Sequence, residues 1–196
     1  PEGKPTAMVH ANNCSSDLNK WLNLFKEYDK VNNIERKADE RYSSLFNEAM
    51  KYQDDVKVYN YNFFSGEPIL SLEDGRPMVI REKDDKFSLS EFILSMLYST
   101  FNVISIGMEP LKKENVNIDA LVGHGGLFKT KNVIASLLAS AFNTPLITYE
   151  HANEGGPYGM ALLARYYFYR DMSLEDFLNN KVFNEEKKTI TYPDLS

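Results

Sequence analysis

A single cysteine, Cys14, occurs in the 196 residues, so no disulfide can close within the chain. That count fits a reducing cytoplasm. Long hydrophobic runs are lacking as well: no apolar stretch approaches the length needed to cross a bilayer, and no signal peptide is visible. Clustered basic residues are missing. The formal net charge is −6 and no block of Lys and Arg interrupts it, which argues against a nucleic-acid surface. A small polyanion stays compatible, because backbone N–H groups bind phosphate without net positive charge. Metal-ligand spacing is also absent. His10, His124 and His151 each follow an expected strand, but with Cys14 they form no C-x2-C or H-x3-H pattern. No low-complexity tract or 20–50-residue repeat occurs.

Composition is that of a globular protein, 43% hydrophobic and 26% charged. The length suits one core. We read residues 1–196 as a single, partial domain, because the chain starts with Pro-Glu-Gly rather than Met, as a piece of a longer protein would. TAMVHANN (6–13) reads as a short strand running into a turn, and Ser-Ser-Asp (15–17) as a helix cap. Leu18, Trp21, Leu22 and Phe25 then recur at helical spacing. Residues 33–51 read as a more exposed helix. VKVYNYNFF (56–64) and PMVIRE (77–82) read as strands bounded by turns at 65–68 and 73–75. Ser88 and Glu91 form a capping box for a long helix ended by Gly107 and Pro110.

The last third is the most informative. IDALV (118–122) is a short strand, within which Asp119 reads as a buried, hydrogen-bonded carboxylate. GHGGLFKT (123–130) follows, then a helix at 131–142 with Ile134, Leu137, Leu138 and Ala141 facing inward. PLITYE (145–150) leads through HANEGG to a helix opened by Pro157. Two strand–glycine loop–helix units in tandem indicate parallel strands with crossover helices, an α/β fold. Six of the ten glycines fall between 123 and 159, and that clustering locates the functional region.

GHGGLFKT nearly matches the phosphate loop G-x-x-x-x-G-K-S/T, but Phe128 replaces its second glycine and fills the space the phosphates need. His124-Gly125-Gly126 resembles the oxyanion loop of lipases, yet no G-x-S-x-G pentapeptide occurs. Two readings stay open. One is a nucleotide loop of another kind, with Gly123, Gly125 and Gly126 letting a ligand approach the backbone at a strand's carboxyl end. The other is a tight turn with packing glycines. Glu154-Gly155-Gly156-Pro157-Tyr158-Gly159 has the same ambiguity, since Gly159, Ala161 and Ala164 suit close helix–sheet packing. Two such loops at adjacent strand ends favour a shared cleft.

The stretch from Asp119 to Ala164 resembles the carboxy-terminal ATPase domain of FGGY-family carbohydrate kinases, the xylulose, ribulose and glycerol kinases. VYNYNFFSGEPI, FSLSEFILSMLYSTFNVI and TAMVHANNCSSDLNKWLNLF extend the resemblance upstream, the last towards xylulokinase-like members. Pro68 stands where the family usually has Arg after Gly-Glu, which leaves the role of Glu67 open. The resemblance implies an actin-like (ribonuclease H-like) ATPase fold lacking its first strands. It implies ATP and Mg2+ as cofactors, and a ketose or polyol as acceptor. The sugar would bind with an amino-terminal domain, and the catalytic Asp would lie upstream of Pro1. This chain would hold ATP through Gly123, Gly125, Gly126, Lys129, Thr130, Glu154, Gly155 and Gly156, and would be inactive alone. It would supply no metal ligand, act in the cytoplasm, and need neither membrane nor nucleic acid; a homodimer stays open. The competing reading is a non-catalytic nucleotide-binding or interaction module on the same fold.

Overall fold

The computed structural model describes residues 8, 10–150, 155–184 and 186–194. The chain separates into two compact units, Pro1–Asn117 and Ile118–Ser196.

The first unit is built on helices. Its elements are α1 (Ser15–Val31), α2 (Ala38–Ala49), an antiparallel pair β1 (Val58–Tyr61) and β2 (Met78–Arg81), and α3 (Leu89–Lys113). The apolar stripe of α1 buries Leu18 and Leu22, and α3 buries Ile93, Met96 and Leu97 completely. Trp21, Phe25 and Phe87 pack around Phe92, with the Trp21 ring edge-on at 5.6 Å. Strand alternation turns Val58 and Asn60 inward and leaves Tyr59 and Tyr61 half exposed. Arg41 of α2 donates to the buried Asp29 carboxylate of α1 at 2.9 Å, which ties the two helices.

Several expectations change. The described residues of 6–13, which are 8 and 10–13, are in no strand. The second helix is shorter than 33–51, and β1 is shorter than 56–64. Helix α3 passes through Gly107 and Pro110 and stops at Asn115, whose φ of 54° is left-handed. Bonds from Asn115 N–H to the Lys112 carbonyl and from Val116 N–H to the Leu111 carbonyl satisfy its last turn. Asn33 closes α1, and Asn143 closes the helix at Val133–Phe142, in the same left-handed way. The capping box is half formed: Ser88 Oγ accepts from Glu91 N–H at 3.2 Å, but the Glu91 carboxylate accepts from Lys57 N–H at 2.6 Å instead. Helix α3 is also long and apolar enough to cross a membrane by length and composition. Its apolar residues are interleaved with Ser, Thr and Asn, so no continuous run reveals it. More than half of that window is buried as the core helix of this unit.

The second unit carries a three-stranded sheet in the order β3-β4-β5, from Leu121–Gly123, Leu146–Tyr149 and Lys188–Thr191. Strands β3 and β4 are parallel, linked through α4 (Val133–Phe142), as the tandem pattern requires. Strand β5 pairs antiparallel with β4 after α5 (Gly155–Tyr166) and α6 (Leu174–Lys181). Ile134, Leu138 and Ala139 are buried on α4, Leu137 is half-buried and Ala141 is exposed. Asp119 precedes β3 and is exposed rather than buried. Helix α5 buries none of its residues, so Ala161 and Ala164 do not make the expected close-packed face.

Candidate functional site

Parallel pairing sets Gly123, the last residue of β3, opposite Thr148 of β4. The two loops that leave these strands therefore start side by side at one sheet edge, the edge where open α/β sheets bind ligands.

Residues 126–129 form one 3₁₀ turn, so α4 begins two residues later than the expected 131. Phe128 N–H donates to the Gly125 carbonyl at 3.1 Å. The turn folds the Phe128 ring back onto Gly123: a Cβ at 123 would lie 2.4 Å from Phe128 Cε1 and 3.1 Å from Leu146 Cδ2. The residue that breaks the phosphate-loop motif thus closes this turn against the strand. Gly123 is a packing glycine.

Gly125 and Gly126 differ from it. Gly125 has φ 108°, a conformation that L side chains rarely adopt. A Cβ at 125, at 126 or at 156 would meet no atom of the described residues within 4 Å. Space lies open over these three positions. Gly155 is again a packing position, since a Cβ there would come 2.7 Å from His124 Nδ1 and 3.0 Å from Cγ. The imidazole of the first loop therefore lies against the first residue of α5. Glu154 falls outside the described residues, as does His151.

Lys129 is exposed at the end of the turn, while Thr130 behind it is buried at 6% exposure. No side chain caps α4, whose preceding residue Asn132 is left-handed at φ 66°. Its first N–H groups thus lack the usual side-chain acceptor. Beside the second loop, burial and then the nearby Glu186 charge push the Tyr158 hydroxyl up from its ordinary pKa, with Arg165 opposing. Both Glu186 carboxylate oxygens are buried without a hydrogen-bond partner among the described residues. Chemically, the edge offers close backbone access at three glycines, N–H donors and the exposed Lys129 cation, which suits a small anionic ligand. Among the described residues no group of three or more His, Cys, Asp and Glu could hold a metal ion.

Sequence reasoning missed the His124–Gly155 contact and the Tyr158–Glu186 pair, because both depend on how separated segments meet. The only signal for the first was a histidine flanked by glycines in one loop and a glycine pair in the next.

Glu67, whose role was open, is fully buried in the first unit. Its carboxylate accepts from Asn12 N–H at 3.0 Å and from Asn13 N–H at 3.3 Å, and Asn13 Nδ2 also reaches it and the Gly66 carbonyl. This side chain anchors the segment before α1. Asn12 and Asn13 therefore face Glu67.

The mixed α/β architecture, with helix-linked parallel strands and glycine loops at their carboxyl ends, is that of an actin-like ATPase domain. Residues 2–168 match the model of the FGGY family of carbohydrate kinases, C-terminal domain, and the chain belongs to that family. Among solved structures it is similar to the xylulose kinase from Rhodospirillum rubrum, with a TM-score of 0.69 and 14% identity over 94% of this chain and 34% of that one. A ligand-bound xylulose kinase from Lactobacillus acidophilus gives 0.62 and 18% over 81% and 31%. A glycerol kinase from Plasmodium falciparum with ADP gives 0.61 and 14% over 88% and 33%. The chain spans about a third of the length of these structures. Among curated proteins no sequence matches.

Proposed function

We propose that this chain forms the ATP-binding half of a sugar kinase, which transfers the γ-phosphoryl group of ATP to a ketose or polyol hydroxyl. The observation that carries the reading is the open space over Gly125, Gly126 and Gly156 at neighbouring strand ends, in a chain of the FGGY family. The similar glycerol kinase was solved with ADP, which supports a nucleotide as the ligand.

In this reading Gly125 and Gly126 lie beside ribose and phosphates, Lys129 pairs with a phosphate, and Thr130 borders adenine. Gly155, Gly156 and Glu154 line the second wall, and Gly123 shapes the first. Mg2+ would arrive with the nucleotide and screen its phosphates. The sugar and the Asp base belong to the missing amino-terminal domain, closure against which would exclude water. The isolated fragment then phosphorylates nothing. Similarity to xylulose kinases favours a xylulokinase-like acceptor, and cytoplasmic location accords with an ATP-dependent reaction.

The test is ADP affinity by titration calorimetry. Gly126→Val is the informative variant, because its Cβ meets no atom of the described residues within 4 Å and no left-handed φ in the free protein. We expect at least about tenfold weaker binding, with stability changed by no more than about 0.5 kcal/mol. Unchanged affinity would overturn the assignment of this loop. Gly125→Val is a poorer probe, since φ 108° adds backbone strain to any ligand clash. Assay of the full-length protein against ketoses and polyols identifies the acceptor.

A further inference from the structure

We infer that His124 and Gly155 form a steric latch that sets the spacing between the turn after β3 and the start of α5, making His124 a positioning residue. The inference rests on the nucleotide reading above and adds to it a role for a residue which that reading leaves unassigned.

The argument starts from space. Three glycines at this sheet edge are open, but Gly155 is not: His124 Nδ1, Cγ and Cε1 would lie 2.7, 3.0 and 3.3 Å from a Cβ at 155. The imidazole occupies the volume that any other residue at 155 would fill. His124 comes from the loop after β3, and Gly155 opens α5 after β4. The His124 ring is thus the group that lies nearest the side-chain position of Gly155, at the start of α5. His124 is exposed and its backbone lies between Gly123, pinned by Phe128, and Gly125, which is free on its side-chain side. With the backbone of His124 tied next to Gly123, the contact of its ring with Gly155 sets how far Gly126 stands from Gly156. Those are two of the positions that a nucleotide must span, and a displacement of about 1 Å at a binding site is costly.

Gly155→Ala should push the imidazole aside, and His124→Ala should remove it. Each change should therefore weaken ADP binding by about tenfold, and the double variant should be no weaker than either single one, because both break the same contact. His124→Asn, which keeps a flat polar side chain of shorter reach, should recover part of the loss. Thermal unfolding of His124→Ala should match that of the unsubstituted protein, since the side chain is exposed. Unchanged ADP affinity in His124→Ala or in Gly155→Ala, with Gly126→Val still weakening it, would overturn the latch and leave the nucleotide site standing. Multiplying losses in the double variant would overturn it too. No ADP binding by the unsubstituted full-length protein would overturn the nucleotide reading and the latch together.

Discussion

Two glycine-bearing turns in this molecule look alike in sequence and behave in opposite ways. In the turn at residues 65–75, a Cβ on Gly66 would lie 2.2 Å from the Glu73 carbonyl oxygen, and one on Gly75 would lie 1.2 Å from that of Phe63. Those glycines exist so that the chain can touch itself. After β3, and at the start of α5, a Cβ added to Gly125, Gly126 or Gly156 would meet no atom of the described residues within 4 Å. Both kinds relieve the same steric restriction. Only the second leaves room for another molecule. A glycine cluster therefore points to function where its missing side chains are matched by empty volume.

The sharpest way to break this contrast is Gly75→Ala. The added methyl would overlap a backbone carbonyl, so the turn itself must move. We expect a loss of about 4 kcal/mol or more, read by denaturant unfolding. A variant as stable as the parent would mean that the closed turn is not closed. Next comes Glu67→Ala, which leaves the Asn12 and Asn13 N–H groups without their acceptor. About 3 kcal/mol should be lost, and ADP affinity should hold, since the substitution lies in the other unit.

A smaller effect concerns pH. Glu91 is fully buried, and burial raises its pKa; Asp85 beside it acts in the same direction, while Lys57 N–H and the Tyr52 hydroxyl oppose. The Tyr52 hydroxyl is itself pushed up to about 12, by burial first and then by the Glu91 charge. One oxygen of Glu91 and one of Asp85 are buried without a hydrogen-bond partner among the described residues. Because the folded pKa of Glu91 exceeds the unfolded one, the fold favours its neutral form. That contribution is fully present below the unfolded pKa and is lost as pH rises through the folded pKa. Glu91→Gln, neutral at every pH and still able to accept from Lys57 N–H, should remove this dependence. Relative to the parent it should gain stability as pH rises from the unfolded carboxylate pKa through the raised folded one; parallel stability curves would refute the assignment.

Much of the architecture was legible in the residues. The stripes of α1 and α3 and the tandem strand–loop–helix units follow from hydrophobic spacing, which burial enforces. Helix ends were not, because the stop is made by Asn33, Asn115 and Asn143 in left-handed conformations, where glycine and proline were the cues expected. Gly107 and Pro110 sit inside α3, where Pro110 removes one i→i−4 bond without ending the helix. The short polar strand β5 and helix α6 escaped notice, since KTIT carries little apolar signal. At the site, the positions of the glycines were readable. Their division into open and packed was not, because it depends on where the rings of Phe128 and His124 come to rest.

Strand β5 has one more consequence. It lies at residues 188–191, past the stretch 2–168 that matches the family model, and it bonds along the side of β4 away from β3. Shortening the chain before Lys188 would uncover that row of amide and carbonyl groups next to Ile147, an adhesive border for any other extended chain. The tail acts as a selvedge on the sheet: a narrow finished margin, ending in Lys and Thr side chains, that keeps the woven part from catching on its neighbours.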